Sequence, residues 1–107
     1  MKEIKNVADF KSIIETGKPV LLDFYASWCG PCIALLPTVE KLAKIHADNF
    51  EIVKVNVDNN RELAQQFGVK SIPDLFFLKG GEVQEKLVGV QTESILESKI
   101  QQYSVTV

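Results

Sequence analysis

Cysteine and histidine are scarce in this chain of 107 residues, with two of the first and one of the second. A structural zinc site usually takes four Cys or His ligands. Cys29, Cys32 and His46 make three at most, so no metal site is expected. Excess positive charge is also missing: 12 Lys and Arg stand against 14 Asp and Glu, a net charge of −2. Without a basic cluster there is no phosphate-binding face, and nucleic acid is not an expected partner. No apolar run approaches the roughly 18 residues that span a bilayer, so no membrane is expected either. The opening MKEIKNVADF has charge where a signal peptide would carry an apolar stretch, which makes the cytoplasm the expected location. Repeats, low-complexity tracts and linkers are absent, so residues 1–107 should form a single domain. Nothing calls for more than a monomer. What the chain does have is a hydrophobic content of 46%, enough for a core that needs no metal or disulfide framework.

The apolar residues fall into clear patterns. Val7, Phe10, Ile13 and Ile14 recur at helical spacing in NVADFKSIIETG, with Gly17 as a stop. PVLLDFYA is a short, nearly continuous apolar run, as in a strand buried on both faces. GPCIALLPTVEKLAKIHADN reads as a long helix with Leu35, Val39, Leu42 and Ile45 on one side. Pro31 suits its first turn, and Pro37 inside it should kink it. His46 then lies near the C-terminal end, where the helix dipole favours a histidine. FEIVKVNVD alternates, with Val53, Val55 and Val57 on one face of a strand. NNRELAQQFG opens with Asn59 and has Glu62 three residues later, a capping-box spacing, and ends at Gly68. DLFFLKGGEVQEKLVG reads as a hairpin about Gly80 and Gly81. TESILESKIQQY is an amphipathic helix carrying Ile95, Leu96 and Ile100. Helices alternating with strands, then a late hairpin, predict an α/β fold with a mixed sheet and helices on both faces.

The two cysteines lie three apart, as Cys29-Gly30-Pro31-Cys32, where the buried strand meets the long helix. A thiol at a helix N-terminus faces unpaired N–H groups and the dipole, which favour the thiolate, the reactive form. Cys32, one turn on, can reach it covalently, and Gly30 and Pro31 set the tight entry to the helix. A structural disulfide would close a loop too short to stabilise the fold much. Two inert core cysteines would not need glycine and proline between them. Redox exchange is the reading that fits the spacing.

At WCGPC, Trp28 to Cys32, the chain resembles the thioredoxin family. VLLDFYASWCGPC, IVKVNVD, IPDLFFLKGGE and LVG follow in the family's order over nearly the whole length. The resemblance implies a thioredoxin fold, a central mixed β-sheet flanked by four helices. It implies a general protein-disulfide reductase, itself re-reduced by a thioredoxin reductase, acting on disulfide-containing client proteins. It implies no bound cofactor, because electrons arrive through the reductase. By resemblance, Cys29 is the attacking thiolate and Cys32 the resolving thiol. Trp28, Gly30 and Pro31 belong to the apolar rim. SIPD alone would be an ordinary turn. By resemblance Ile72-Pro73 is a cis-proline loop whose Ile72 backbone pairs with the client chain, and Gly89 is a further wall of the groove.

Asp23 shares a strand face with Leu21 and Tyr25, so it should be partly buried. The residues alone leave it as an acid near a strand edge. By resemblance it is the buried aspartate that takes a proton from the resolving thiol, its pKa raised by burial. Lys54 is either a solvent-facing residue of an alternating strand or, by resemblance, a tuning charge near Asp23. Two positions depart from the family pattern. Ile33 stands where Lys or Arg is common, and Asp74 stands where Thr follows the proline. Asp74 should set an acid near the active site, disfavouring a thiolate and acidic clients. The same fold also carries thiol oxidases and disulfide isomerases, and non-catalytic interaction modules. Gly-Pro between the cysteines is the reductant-type pair.

Overall fold

The computed structural model describes residues 1–104. Among them the elements run β1 (Lys2–Ile4), α1 (Val7–Glu15), β2 (Val20–Tyr25), α2 (Gly30–Ile45), β3 (Glu51–Asn56), α3 (Arg61–Gln66), β4 (Asp74–Lys79), β5 (Glu82–Val88) and α4 (Glu93–Ser104). The strands form one sheet in the order β1-β3-β2-β4-β5. β1 and β2 run parallel to β3, whereas β4 runs antiparallel to β2 and to β5. This is the expected mixed sheet with four helices.

β2 lies at the centre and is buried at every position. Its alternation feeds two cores. Val20, Leu22 and Phe24 join Ile13 of α1 and Leu63 of α3 on one face. Leu21 joins Leu35, Val39 and Leu42 of α2 and Leu96 and Ile100 of α4 on the other. Gly80 and Gly81 turn the hairpin at φ 60° and 79°, the left-handed pair that a two-residue turn of this hand requires.

Several sequence readings need correction. β1 has no counterpart among the sequence patterns: it has three residues, and only Ile4 is buried, too short a segment for period-2 alternation to show. Ile45 is 59% exposed, not core-facing. At about 100° per residue, positions 35, 39, 42 and 46 make the stripe, and residue 45 falls about 80° to its side. His46 occupies that stripe, and its Nε2 lies 2.7 Å from Glu97 Oε1 of α4. Ile95, 43% exposed, is displaced in the same way from Leu96 and Ile100. The cap of α3 is Asn60, not Asn59, and it makes no side-chain cap bond. Its amide instead donates to the carbonyls of Ile4 and Asn56, tying α3 to two strands. α2 continues through Pro37, which has no N–H to offer the Ile33 carbonyl.

Candidate active site

β2 ends at Tyr25, and four residues later Cys29 caps α2. Its backbone is extended, at φ −88° and ψ 106°, and its Sγ accepts the N–H of Cys32 at 3.2 Å. That N–H is among those a helix's first turn leaves unpaired, so the sulfur acts as the cap. Cys29 and Cys32 are joined by a disulfide with Cα atoms 5.3 Å apart. With Tyr25 and Ala26 they form a small apolar cluster that Val57 and Ile72 pack against. Cys32 is fully covered and Cys29 is 6% exposed. The Cys29 sulfur is therefore less open than a thiol projecting from a helix tip would be. It lies at the surface of its cluster, 3.9 Å from the carbonyl oxygen of Ile72.

The Ile72–Pro73 bond is cis. The N–H of Gly89 donates to the Pro73 carbonyl at 2.8 Å, which holds the end of β5 against this loop. Gly89 has φ 88°, a left-handed conformation, and a Cβ there would meet nothing within 4 Å. Backbone conformation, not space, selects glycine. Gly30, Pro31, Ile33 and Trp28, next to the cysteines in the chain, are all exposed, as are Val88 and Val90 on either side of Gly89. Trp28 is 70% exposed, yet its indole N–H donates to Asp58 Oδ2 at 2.8 Å, which fixes the ring. Sequence reasoning misses Asp58, which closes the alternating NVD stretch with no signal of its own.

Asp23 is fully covered, and neither of its carboxylate oxygens has a hydrogen-bond partner. Burial pushes its pKa up to about 7, with the Lys54 charge pulling the other way. The expectation of partial burial understates this. Lys54 is the parallel-register neighbour of Asp23, and its Nζ sits 5.7 Å from the centre of the Tyr25 ring. The ring holds the ammonium near the strand instead of releasing it to solvent.

Asp74 follows the cis-proline, but its carboxylate is turned into the fold. It pairs in register with Phe24, so its side chain enters the face opposite Asp23. It is fully covered, and Lys86 Nζ of β5 lies 3.3 Å from Oδ2. Burial raises its pKa, and Lys86 opposes that. A covered and paired carboxylate presents little charge to the disulfide's surroundings. Ile33, 45% exposed beside Cys32, adds apolar surface there. Among the described residues no group of three His, Cys, Asp or Glu could hold a metal ion.

Two adjoining sulfurs at the start of a helix, one facing a backbone carbonyl, can trade their bond for one with an outside sulfur. Sheet and site together define a thiol–disulfide oxidoreductase. A family model described as Thioredoxin matches residues 2–102. A thioredoxin of Alicyclobacillus acidocaldarius is 45% identical over 93 residues, covering 87% of this chain and 89% of that one. A thioredoxin of Haemophilus influenzae is 43% identical over 99 residues, covering 92% of each. The solved structure of a mutant thioredoxin from Halobacterium salinarum superposes with a TM-score of 0.92 at 36% identity, covering 99% of this chain and 92% of that one. The chain belongs to the thioredoxin family. Its activity is dithiol–disulfide exchange through Cys29 and Cys32.

Proposed function

We propose that the chain is a general reductant of protein disulfides in which Cys29 attacks and Cys32 resolves. The observation that carries this is the capping bond, with the Cys32 N–H aimed at Cys29 Sγ. In the reduced protein that N–H and the helix dipole stabilise negative charge on Cys29. The Cys29 thiolate attacks one sulfur of a client disulfide, forms a mixed disulfide and releases the other client sulfur as a thiolate. Cys32 then gives its proton to Asp23, attacks Cys29 Sγ and releases the second client sulfur. Two electrons pass to the client, and the chain is left with the Cys29–Cys32 bond.

Asp23 suits this role because its pKa of about 7 lets it accept a proton near neutrality. It lies two residues before Tyr25, which packs against both cysteines. A bridging water would complete the path. Lys54 tunes that carboxyl. The client chain lies along the Ile72 backbone, between Trp28, Pro31 and Ile33 on one side and Pro73 and Gly89 on the other. A thioredoxin reductase returns the two electrons, so no resident cofactor is required. A reducing compartment such as the cytoplasm suits such a protein. None of the helices in the described residues is long and apolar enough to cross a membrane.

The test uses single cysteine variants with insulin as the client. Cys32→Ser should accumulate a mixed disulfide, because the first bond forms and nothing resolves it. Cys29→Ser should accumulate none. Trapping by Cys29→Ser alone would reverse the two roles.

A further inference from the structure

An ion pair that the exchange chemistry does not use, between a buried aspartate and a partly exposed lysine, lies directly behind the cis-proline loop. Asp74 is the first residue of β4 and follows Pro73; its side chain is fully covered, and neither oxygen makes an aligned hydrogen bond. The group that neutralises it is Lys86 on β5, with Nζ 3.3 Å from Oδ2. The Lys86 ammonium also lies 5.3 Å from the centre of the Phe76 ring, which holds it over the sheet. Asp74 is the register partner of Val88, and the next residue, Gly89, donates to the Pro73 carbonyl. The pair therefore crosses between the start of β4 and the end of β5, beneath the two segments that face each other through Pro73 and Gly89.

We propose that Lys86 is a positioning residue: by keeping the buried Asp74 carboxylate seated in β4, it holds Pro73 and Gly89 in the arrangement that receives a client chain. A carboxylate in an apolar interior is tolerated only with a counter-charge or by giving up its own charge. With Lys86 neutralised, Asp74 must either take up a proton or turn toward water. Turning moves the first residue of β4, and Pro73 is bonded directly to it. The Gly89 to Pro73 hydrogen bond then loosens from one end. A threonine at position 74 would carry no charge and make no such demand. The dependence on Lys86 therefore follows from the carboxylate at position 74.

This inference rests on the docking arrangement proposed above, and its test separates the two. The protein reduces insulin with NADPH and a saturating thioredoxin reductase while insulin is varied. The alkylation rate of Cys29 by iodoacetamide is measured on the reduced protein as a separate readout of the thiol. Lys86→Met should raise KM for insulin about fivefold, the equivalent of one net hydrogen bond of about 1 kcal/mol. Both kcat and the alkylation rate should stay at the wild-type value. Lys86→Arg should keep the wild-type KM, and Asp74→Thr/Lys86→Met should restore it, since no carboxylate is then orphaned. Should Lys86→Met fail to fold, Lys86→Gln carries the same comparison with a smaller rise, again reversed by Asp74→Thr. An unchanged KM in a folded Lys86 variant, a fall in kcat alone, or a raised KM that persists in the double variant would each overturn the proposal. Failure of the wild-type protein to reduce insulin would instead remove the functional reading beneath it.

Discussion

Asp23 and Asp74 occupy neighbouring places on the two central antiparallel strands, one register step apart, and their side chains leave on opposite faces. Both are fully covered. They differ in company. Asp74 has a lysine 3.3 Å away. Neither carboxylate makes an aligned hydrogen bond, but the lysine of Asp23 acts only as a charge on the adjacent strand. Burial raises the pKa of both, but at Asp74 a close ammonium opposes the rise, whereas at Asp23 the rise reaches about 7. A buried acid serves proton transfer when its charge is left poorly matched. When it is matched, it serves as a fixture.

The largest consequence of the mismatch is thermodynamic. The folded state lifts the Asp23 pKa from 3.8 to about 7, so between those values the folded protein keeps a proton that the unfolded chain has lost. The folded state then binds more protons, and stability falls as pH rises through this window. That rise corresponds to about 4 kcal/mol. Urea unfolding of the oxidised protein should show wild type losing about 4 kcal/mol between pH 4 and pH 8 relative to Asp23→Asn. Parallel pH profiles for the two proteins would show that the carboxyl is not poorly matched, and the contrast with Asp74 would vanish.

The fixture responds in the opposite sense. Lys86→Met leaves Asp74 charged and unpaired above its folded pKa. Breaking a buried pair costs roughly 3–5 kcal/mol, but the Lys86 side chain is 39% exposed. Solvent screening brings the expected loss at pH 7 to about 2 kcal/mol. Because the deficit comes from a charged carboxylate, it should shrink as pH falls and Asp74 takes up a proton. Removing Asp23 therefore stabilises the fold at high pH, and removing the partner of Asp74 destabilises it there. Chemical denaturation of both variants at pH 5 and pH 8 measures the opposite slopes directly.

How far these environments can be read beforehand differs from residue to residue. β2 is legible because five apolar or aromatic residues interrupted only by Asp23 fit a strand covered on both faces, and the cysteine pair because Gly-Pro and the strand–helix junction surround it. Asp23 is legible only in part. Its alternation with Leu21 and Tyr25 gives its face, but full burial depends on α2 lying over that face. Asp74 is legible only in its adjacency to Pro73, which does not say where its carboxylate goes. Strand alternation instead sends its side chain through the sheet, and the lysine that receives it comes from β5, 12 positions on. Trp28 with Asp58 is the same case: the contact spans 30 positions and no local pattern announces it. Periodicity fixes faces, whereas the partner of a polar group is decided by chain crossings that periodicity does not encode.

The finest test of the contrast removes the lysine of Asp23 instead of that of Asp74. Lys54 lowers the Asp23 pKa against the larger effect of burial. Its ammonium is held over Tyr25 and makes no hydrogen bond to the carboxylate. Lys54→Met should therefore raise the Asp23 pKa further and cost less than about 1 kcal/mol at pH 8. If Asp23 accepts the Cys32 proton, the rate of mixed-disulfide resolution should rise with pH along the ionisation of that carboxyl. The inflection should move to higher pH in Lys54→Met, while the plateau above it stays at the wild-type value. In Lys86→Met the inflection should not move, because that lysine serves the acid on the far side of the sheet. An inflection that shifts equally in both variants would mean that the two carboxylates titrate as one system, and the division of labour between the faces would fail.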